Sequence, residues 1–114
     1  MIPSHPFHAI DLPGAAIERA RVRISDPARW TQGVYARDIC GIPCMVGSKS
    51  ACKWCAAGAL ALEGALLAAF YLSADGAATV SINDYQGHTA ALAALAKMRD
   101  WCYAGYAKRL IGGA

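Results

Sequence analysis

The chain has 114 residues, which is enough for one domain with a single modest core and too few for several domains. Its 56% apolar residues argue for a folded globule and against a disordered chain. The formal net charge of +3, from 11 Lys and Arg against 8 Asp and Glu, is small. A strong nucleic-acid-binding surface is usually more basic and more clustered, so a nucleic-acid partner is not favoured.

Residues 1–13 contain three prolines and are predicted to form an extended arm before a single helical domain over residues 14–111. This stretch lacks the cationic start, apolar run and small-residue cleavage site of a secretory signal. We therefore expect a cytoplasmic protein whose five cysteines are reduced.

The first helix is predicted over residues 14–24, because Ile17, Ala20 and Ile24 recur on one face. Asp26 and Pro27 should end it. Glycine, proline and β-branched residues over 30–47 predict turns with one or two short strands.

A second helix is predicted from Ala51, capped by serines at 48–50, to about Leu72, with a break near Gly64. Residues 55–72 are apolar except for Glu63. A carboxylate near the centre of a membrane span costs about 3 kcal/mol on insertion scales, so a buried core helix is favoured over a span.

The chain then continues through a predicted turn at 74–78 and an extended piece at 79–82 to a last helix over 89–110. That helix carries an apolar stripe at helical spacing: Leu92, Leu95, Met98 and Cys102. The predicted fold is mainly α, a small globule of three to four helices with short irregular or β segments.

One candidate chemistry is a metal site, because four cysteines fall within sixteen residues: Cys40, Cys44, Cys52 and Cys55. Four thiolates suit a tetrahedral zinc ion. However, only seven residues separate the two pairs, which is short for a zinc ribbon. Free cysteine also packs as a small hydrophobe, so we expect no cofactor and keep a zinc-stabilised module as an alternative.

A second candidate is a thiol hydrolase or transferase with Cys55 as nucleophile and His88 as base. A helix N-terminus lowers the pKa of a cysteine thiol. The predicted start at Ala51 would place Cys55 a turn inside the helix, where this effect fades. Core packing is therefore the favoured role of Cys55, and enzymatic activity is not favoured.

The stretch "NDYQG" raises a third possibility, that Asn83 or Asp84 caps the last helix or fastens its turn to the "WTQG" loop rather than contacting a ligand. Trp30 and Trp54 should be core anchors whose indole N–H groups need acceptors. Gln32 or Asp38 is the predicted acceptor.

Three ordered stretches carry a resemblance: "SDPARWTQGVYARD" at 25–38, "WCAAGAL" at 54–60, and "SINDYQG" with the leucine-rich helix after it, at 81–98. Their order resembles a family of small uncharacterised bacterial and phage proteins that carries a domain-of-unknown-function label. The match covers residues 14–98. It carries over these pattern positions: Trp30, Gln32, Gly33, Arg37, Asp38, Trp54, Cys55, Gly58, Asn83 and Asp84. Cys40, Cys44, Cys52 and His88 are not in the pattern.

The resemblance implies architecture more than function. It is compatible with a phage accessory protein that binds a host or defence component. We expect a non-enzymatic interaction protein whose partner is another protein, with a homodimer as a further expectation and no membrane span. The working surface is predicted on a hydrophobic patch of the alanine-rich helices or on these residues: Trp30, Gln32, Arg37, Asp38, Asn83 and Asp84.

Overall fold

The computed structural model describes the backbone of residues 5–65 and 82–112 and the side chains of 14–65 and 82–104. The described fold is mainly α with a short two-stranded sheet, as predicted. Its elements in chain order are α1 (His5–Arg23), a 3-10 helix (Pro27–Arg29), β1 (Ala36–Asp38), β2 (Ala51–Trp54), α2 (Ala56–Leu62), a π-helical turn (Ile82–Gln86) and α3 (His88–Gly112). None of the described helices is both long and apolar enough to cross a membrane.

The first helix is longer than predicted. It begins at His5, so the extended arm is wrong over residues 5–13. Pro6 lies in the first helical turn, where a backbone N–H has no partner within the helix in any case. Pro13 lies in the interior and removes one backbone hydrogen bond, a loss that the rest of a 19-residue helix tolerates.

The core lies between α1, α2 and α3. Ile17, Ala20 and Ile24 of α1 are fully buried, as their spacing predicted. Leu95 and Met98 of α3 are also buried, and Leu92 and Cys102 pack beside them, so the predicted stripe is confirmed. Most of the other buried positions in the three helices are alanine: Ala16, Ala56, Ala57, Ala59 and Ala91.

The predicted helix start at Ala51 is wrong, because residues 51–54 form β2, antiparallel to β1. Ala36 lies opposite Trp54, and Arg37 lies opposite Lys53. The serines cap a local turn instead of a helix: Ser50 N donates to Ser48 Oγ at 3.2 Å. The helix starts at Ala56, after Cys55.

The predicted break near Gly64 is confirmed, because α2 ends at Leu62 and Gly64 has φ +73°. The continuation to Leu72, the turn at 74–78 and most of the extended piece at 79–82 lie outside the described residues. Ile82 begins the π-helical turn. Gly87, at φ +98°, then turns the chain into α3. This helix begins at His88, one residue before the predicted start at residue 89.

Candidate functional site

The buried amide of Asn83 joins three parts of the chain. Its Oδ1 accepts the indole Nε1–H of Trp30 at 2.6 Å and the backbone N–H of Ala56 at 2.9 Å. Its Nδ2 donates to the carbonyl of Thr31 and to Asp84 Oδ1, both at 3.0 Å. Because Asn83 is fully buried and all four bonds are made, its side chain has no capacity left for a ligand.

Neighbouring contacts extend this arrangement. Gln32 Nε2 donates to the carbonyls of Asn83 at 2.9 Å and Asp84 at 3.0 Å. Gly33 N donates to Asp84 Oδ1 at 3.0 Å. The predicted fastening of the "NDYQG" turn to the "WTQG" loop is therefore confirmed. We call this set the Asn83 network: Trp30, Thr31, Gln32, Gly33, Ala56, Asn83 and Asp84.

The predicted acceptors for the tryptophans are wrong. Asn83 Oδ1 accepts the indole N–H of Trp30, and the carbonyl of Val46 accepts that of Trp54 at 3.0 Å. Gln32 supplies its amide N–H groups to backbone carbonyls instead, and Asp38 accepts from backbone N–H groups of its own loop. The acceptor for Trp30 lies 53 positions away and is set by tertiary packing, whereas the acceptor for Trp54 lies eight positions before it in the loop that precedes β2.

Arg37 and Asp38 hold the loop between β1 and β2. The guanidinium of Arg37 donates to Thr31 Oγ1 at 2.8 Å, to the Gly41 carbonyl at 2.9 Å and to the Gln32 carbonyl at 3.1 Å. Asp38 Oδ1 accepts from the N–H groups of residues 40 and 42, at 2.9 and 3.0 Å. These groups are therefore committed to positioning backbone.

The structure thus gathers every residue of the predicted binding surface: Trp30, Gln32, Arg37, Asp38, Asn83 and Asp84. Their observed contacts are internal, and a binding role for them stays a prediction. What the sequence reasoning missed is the apolar rim of the same region. Ile39 is 85% exposed, Ile42 60% and Met45 82%. We call these three side chains the apolar loop.

Cys55 is buried, with 3% of its surface exposed, so the predicted core position is confirmed. It is also the N-cap of α2, which corrects the predicted place a turn inside the helix. Its Sγ accepts the backbone N–H of Gly58 at 3.2 Å. Burial raises the pKa of the Cys55 thiol and outweighs the opposing backbone hydrogen bonds. A nucleophilic cysteine needs the reverse, a lowered pKa.

His88 serves the packing of α1 on α3. Its Nε2 lies 2.6 Å from the carbonyl of Ile24, and its ring centroid lies 5.1 Å from that of Trp30. Across the described residues, no hydrogen bond joins His88 to Cys55. The geometry therefore does not assemble the alternative Cys55–His88 dyad.

The four clustered cysteines differ in their surroundings. Cys40 is exposed, Cys44 and Cys52 are half-buried, and Cys55 is buried. Within the part of the chain that the structure describes, no three His, Cys, Asp or Glu side chains form a group suited to a metal ion. The spacing of the cysteines along the sequence is thus not matched by their placement in space.

No protein-family model, curated protein or solved structure matches the chain. The family resemblance of its three motifs therefore stays a prediction, and the function is argued from geometry and chemistry.

Iodoacetamide at neutral pH is expected to label Cys40 first and Cys55 last. Cys40 is exposed, whereas burial shields Cys55 and raises the pKa of its thiol, which reduces the reactive thiolate. Timed labelling with peptide mapping measures this order, and labelling in denaturant, where the thiols should react alike, is the control. Labelling of Cys55 ahead of Cys40 would instead identify an activated nucleophile.

Proposed function

We propose that the chain is a non-enzymatic binding protein that docks another protein through its apolar loop, Ile39, Ile42 and Met45. The observation that carries the proposal is the exposure of three large apolar side chains within seven residues. Single exposed apolar residues are ordinary on protein surfaces, whereas a group of them is typical of an interaction site.

The backbone that bears these side chains is held in place. The Asp38 backbone N–H donates to the Ile42 carbonyl at 2.9 Å, and the Ile42 N–H donates to Asp38 Oδ1 at 3.0 Å. Cys44 N donates to the Ala36 carbonyl at 3.0 Å, and the Trp54 indole holds the Val46 carbonyl. A loop that is ordered before binding loses less conformational entropy when a partner docks, so more of the contact energy appears as affinity.

The Asn83 network has a supporting role in this proposal. It fixes the 30–33 loop, and Arg37 ties that loop to Gly41 in the apolar loop segment. The polar residues would then position the surface, and the apolar side chains would contact the partner. Burying an Ile or Met side chain is worth roughly 1.5–3 kcal/mol, so three such contacts would supply much of a specific interaction.

The family resemblance adds the proposed setting: a protein of bacterial or phage origin in the bacterial cytoplasm, whose partner is a host or defence component. The competing possibility is that a second copy of the chain binds the apolar loop. The high pKa of Cys55 and the engagement of His88 with Ile24 give the thiol-enzyme alternative no support.

The test compares wild-type protein with a triple variant, Ile39→Ser, Ile42→Ser and Met45→Ser. The control is Trp101→Ser, which removes an exposed apolar side chain, 58% exposed, from α3. Partners captured from bacterial extract are identified, purified and titrated against all three proteins. We expect the triple variant to bind at least about a hundredfold more weakly, since each lost contact costs on the order of 1 kcal/mol or more.

Sedimentation of the purified protein distinguishes the two possible partners of the apolar loop, a different protein and a second copy of the chain. A wild-type dimer that the triple variant converts to monomer would assign the loop to self-association. Equal binding of a purified partner by the wild type and the triple variant would contradict the proposal. Matching circular dichroism and melting temperatures would show that the variants are folded.

A further inference from the structure

A second surface lies beside the C-terminal half of α1. Its use is independent of the docking proposed for the apolar loop. It is a depression of about 360 Å³ between α1, the 3-10 helix and the end of α2. Its lining residues are Glu18, Arg19, Val22, Arg23, Arg29 and Glu63. Three of the arginines that the sequence scatters over 19–37 therefore meet here, whereas Arg37 is committed to its own loop.

Both carboxylates in the depression are already shared between two arginines. Glu63 accepts from Arg19 Nε at 2.8 Å and from Arg23 Nη2 at 3.1 Å. Glu18 accepts from Arg21 at 2.6 Å and from Arg99 at 2.6 Å. They therefore help to fasten α1 to the end of α2 and to α3.

These carboxylates stay ionised at neutral pH. Hydrogen bonds from Arg21 and then Arg99 lower the pKa of Glu18 to about 2. Burial raises the pKa of Glu63, but the hydrogen bonds from its two arginines outweigh it, and the net pKa is lowered. A bound anion would thus meet fixed negative charges, and only an excess of positive charge can attract it.

That excess is present. The ion pairs form two separate groups: Arg19 and Arg23 share Glu63, whereas Arg21 and Arg99 share Glu18, and Arg99 also pairs with Asp100 at 2.9 Å. Of the arginines in these pairs, only Arg19 and Arg23 line the depression. Arg29 lines the same depression, and its guanidinium makes no hydrogen bond or ion pair with any described residue. Three guanidinium groups therefore line the depression with two carboxylates, which leaves one positive charge.

Two of the lining arginines also keep unused N–H groups. Arg29 is exposed at the end of the 3-10 helix, with its whole guanidinium available. Arg23 donates Nη2 to Glu63, but its Nε is buried and has no acceptor. The Arg23 guanidinium is held 5.0 Å above the ring of Trp54, so its place is fixed by packing as well as by charge.

We infer that this depression binds a phosphate group, either as free inorganic phosphate or as part of a small phosphomonoester. Planar guanidinium forks match the oxygens of phosphate with paired hydrogen bonds. The exposed Arg29 guanidinium, which has no side-chain partner among the described residues, supplies the excess positive charge that attracts such an anion. Val22, 54% exposed at the edge, offers an apolar wall for the organic part of a phosphomonoester.

The experiment is calorimetric titration of the full chain with inorganic phosphate and with glycerol phosphate, at constant ionic strength set by sodium chloride. Arg29→Gln is compared with Lys49→Gln, which removes the same charge from an exposed, unpaired lysine outside the depression. We expect Arg29→Gln to weaken binding about tenfold, the loss of a charge-assisted hydrogen bond. Lys49→Gln should change it less than about twofold, since an exposed charge that does not line the depression is largely screened.

Tighter binding of glycerol phosphate would assign the site to a phosphomonoester, and equal binding would assign it to free phosphate. The inference is overturned if neither ligand binds, or if Arg29→Gln and Lys49→Gln weaken binding equally, which would indicate general charge screening. The Arg29 guanidinium has no hydrogen-bond or ion-pair partner among the described residues, so its variant should keep the wild-type melting temperature.

Discussion

Replacing Asn83 by alanine is expected to lower the free energy of unfolding by about 3–5 kcal/mol. The change leaves three groups without their partner: the indole N–H of Trp30, the backbone N–H of Ala56 and the carbonyl of Thr31. Each buried group left unsatisfied costs about 1–3 kcal/mol, and a small domain has only about 5–15 kcal/mol in all.

Urea unfolding followed by tryptophan fluorescence measures the loss, since Trp30 reports directly on the site. Gln86→Ala is the matched control, because it removes an amide from the same π-helical turn at an exposed position. It should change stability by less than about 0.5 kcal/mol. A loss below about 1 kcal/mol for Asn83→Ala would mean that water replaces the amide and that the network is not a stabilising element.

Gly58→Ala is expected to destabilise the fold by about 3 kcal/mol or more, at the upper end of overpacking effects. A Cβ at this position would overlap the carbonyl oxygen of Tyr35 and lie 2.8 Å from its carbonyl carbon. That carbonyl accepts the N–H of Cys55 at 3.2 Å. Tyr35 cannot move away from the added methyl group without breaking this hydrogen bond to Cys55, which positions the start of α2.

Thermal unfolding of Gly58→Ala and Gly47→Ala separates this clash from the general effect of losing a glycine. Nothing lies within 4 Å of a Cβ built at Gly47. Its variant should therefore be neutral or slightly more stable, because alanine restricts the unfolded chain. Equal melting temperatures for the two variants would show that α2 can shift away from Tyr35 at little cost.

The parts of the fold that sequence predicts correctly are those decided by local periodicity. Ile17, Ala20 and Ile24 recur at helical spacing, and so do Leu95 and Met98, because one face of each helix must enter the core. Gly64 and Gly87 mark helix boundaries because each adopts a positive φ that other residues avoid.

The start of α2 was mispredicted because its cause is not local. Serines are good helix caps, whereas cysteine is not among the preferred ones. Pairing of Lys53 with Arg37 in the sheet nevertheless draws residues 51–54 into a strand, and Cys55 is left as the cap. Such pairing depends on the register of a distant segment, which the pattern of one segment does not contain.

In the candidate site, too, the sequence predicts what local chemistry decides and misses what tertiary packing decides. Turn chemistry predicted that Asn83 fastens backbone, but not that its oxygen would meet the indole of Trp30. Ile39 and Met45 belong to residue types that are usually buried, so only the finished packing reveals that they remain exposed.

The bond between Trp30 and Asn83 spans 53 positions of the chain. Closing a loop of that length loses conformational entropy before the stabilising contact forms. Folding should therefore be slower than in a helical bundle built from contacts between neighbouring segments. During synthesis, the Trp30 indole, the Thr31 carbonyl and the Ala56 amide must wait for Asn83 to leave the ribosome. The nascent chain would therefore acquire its stable fold late and in one cooperative step.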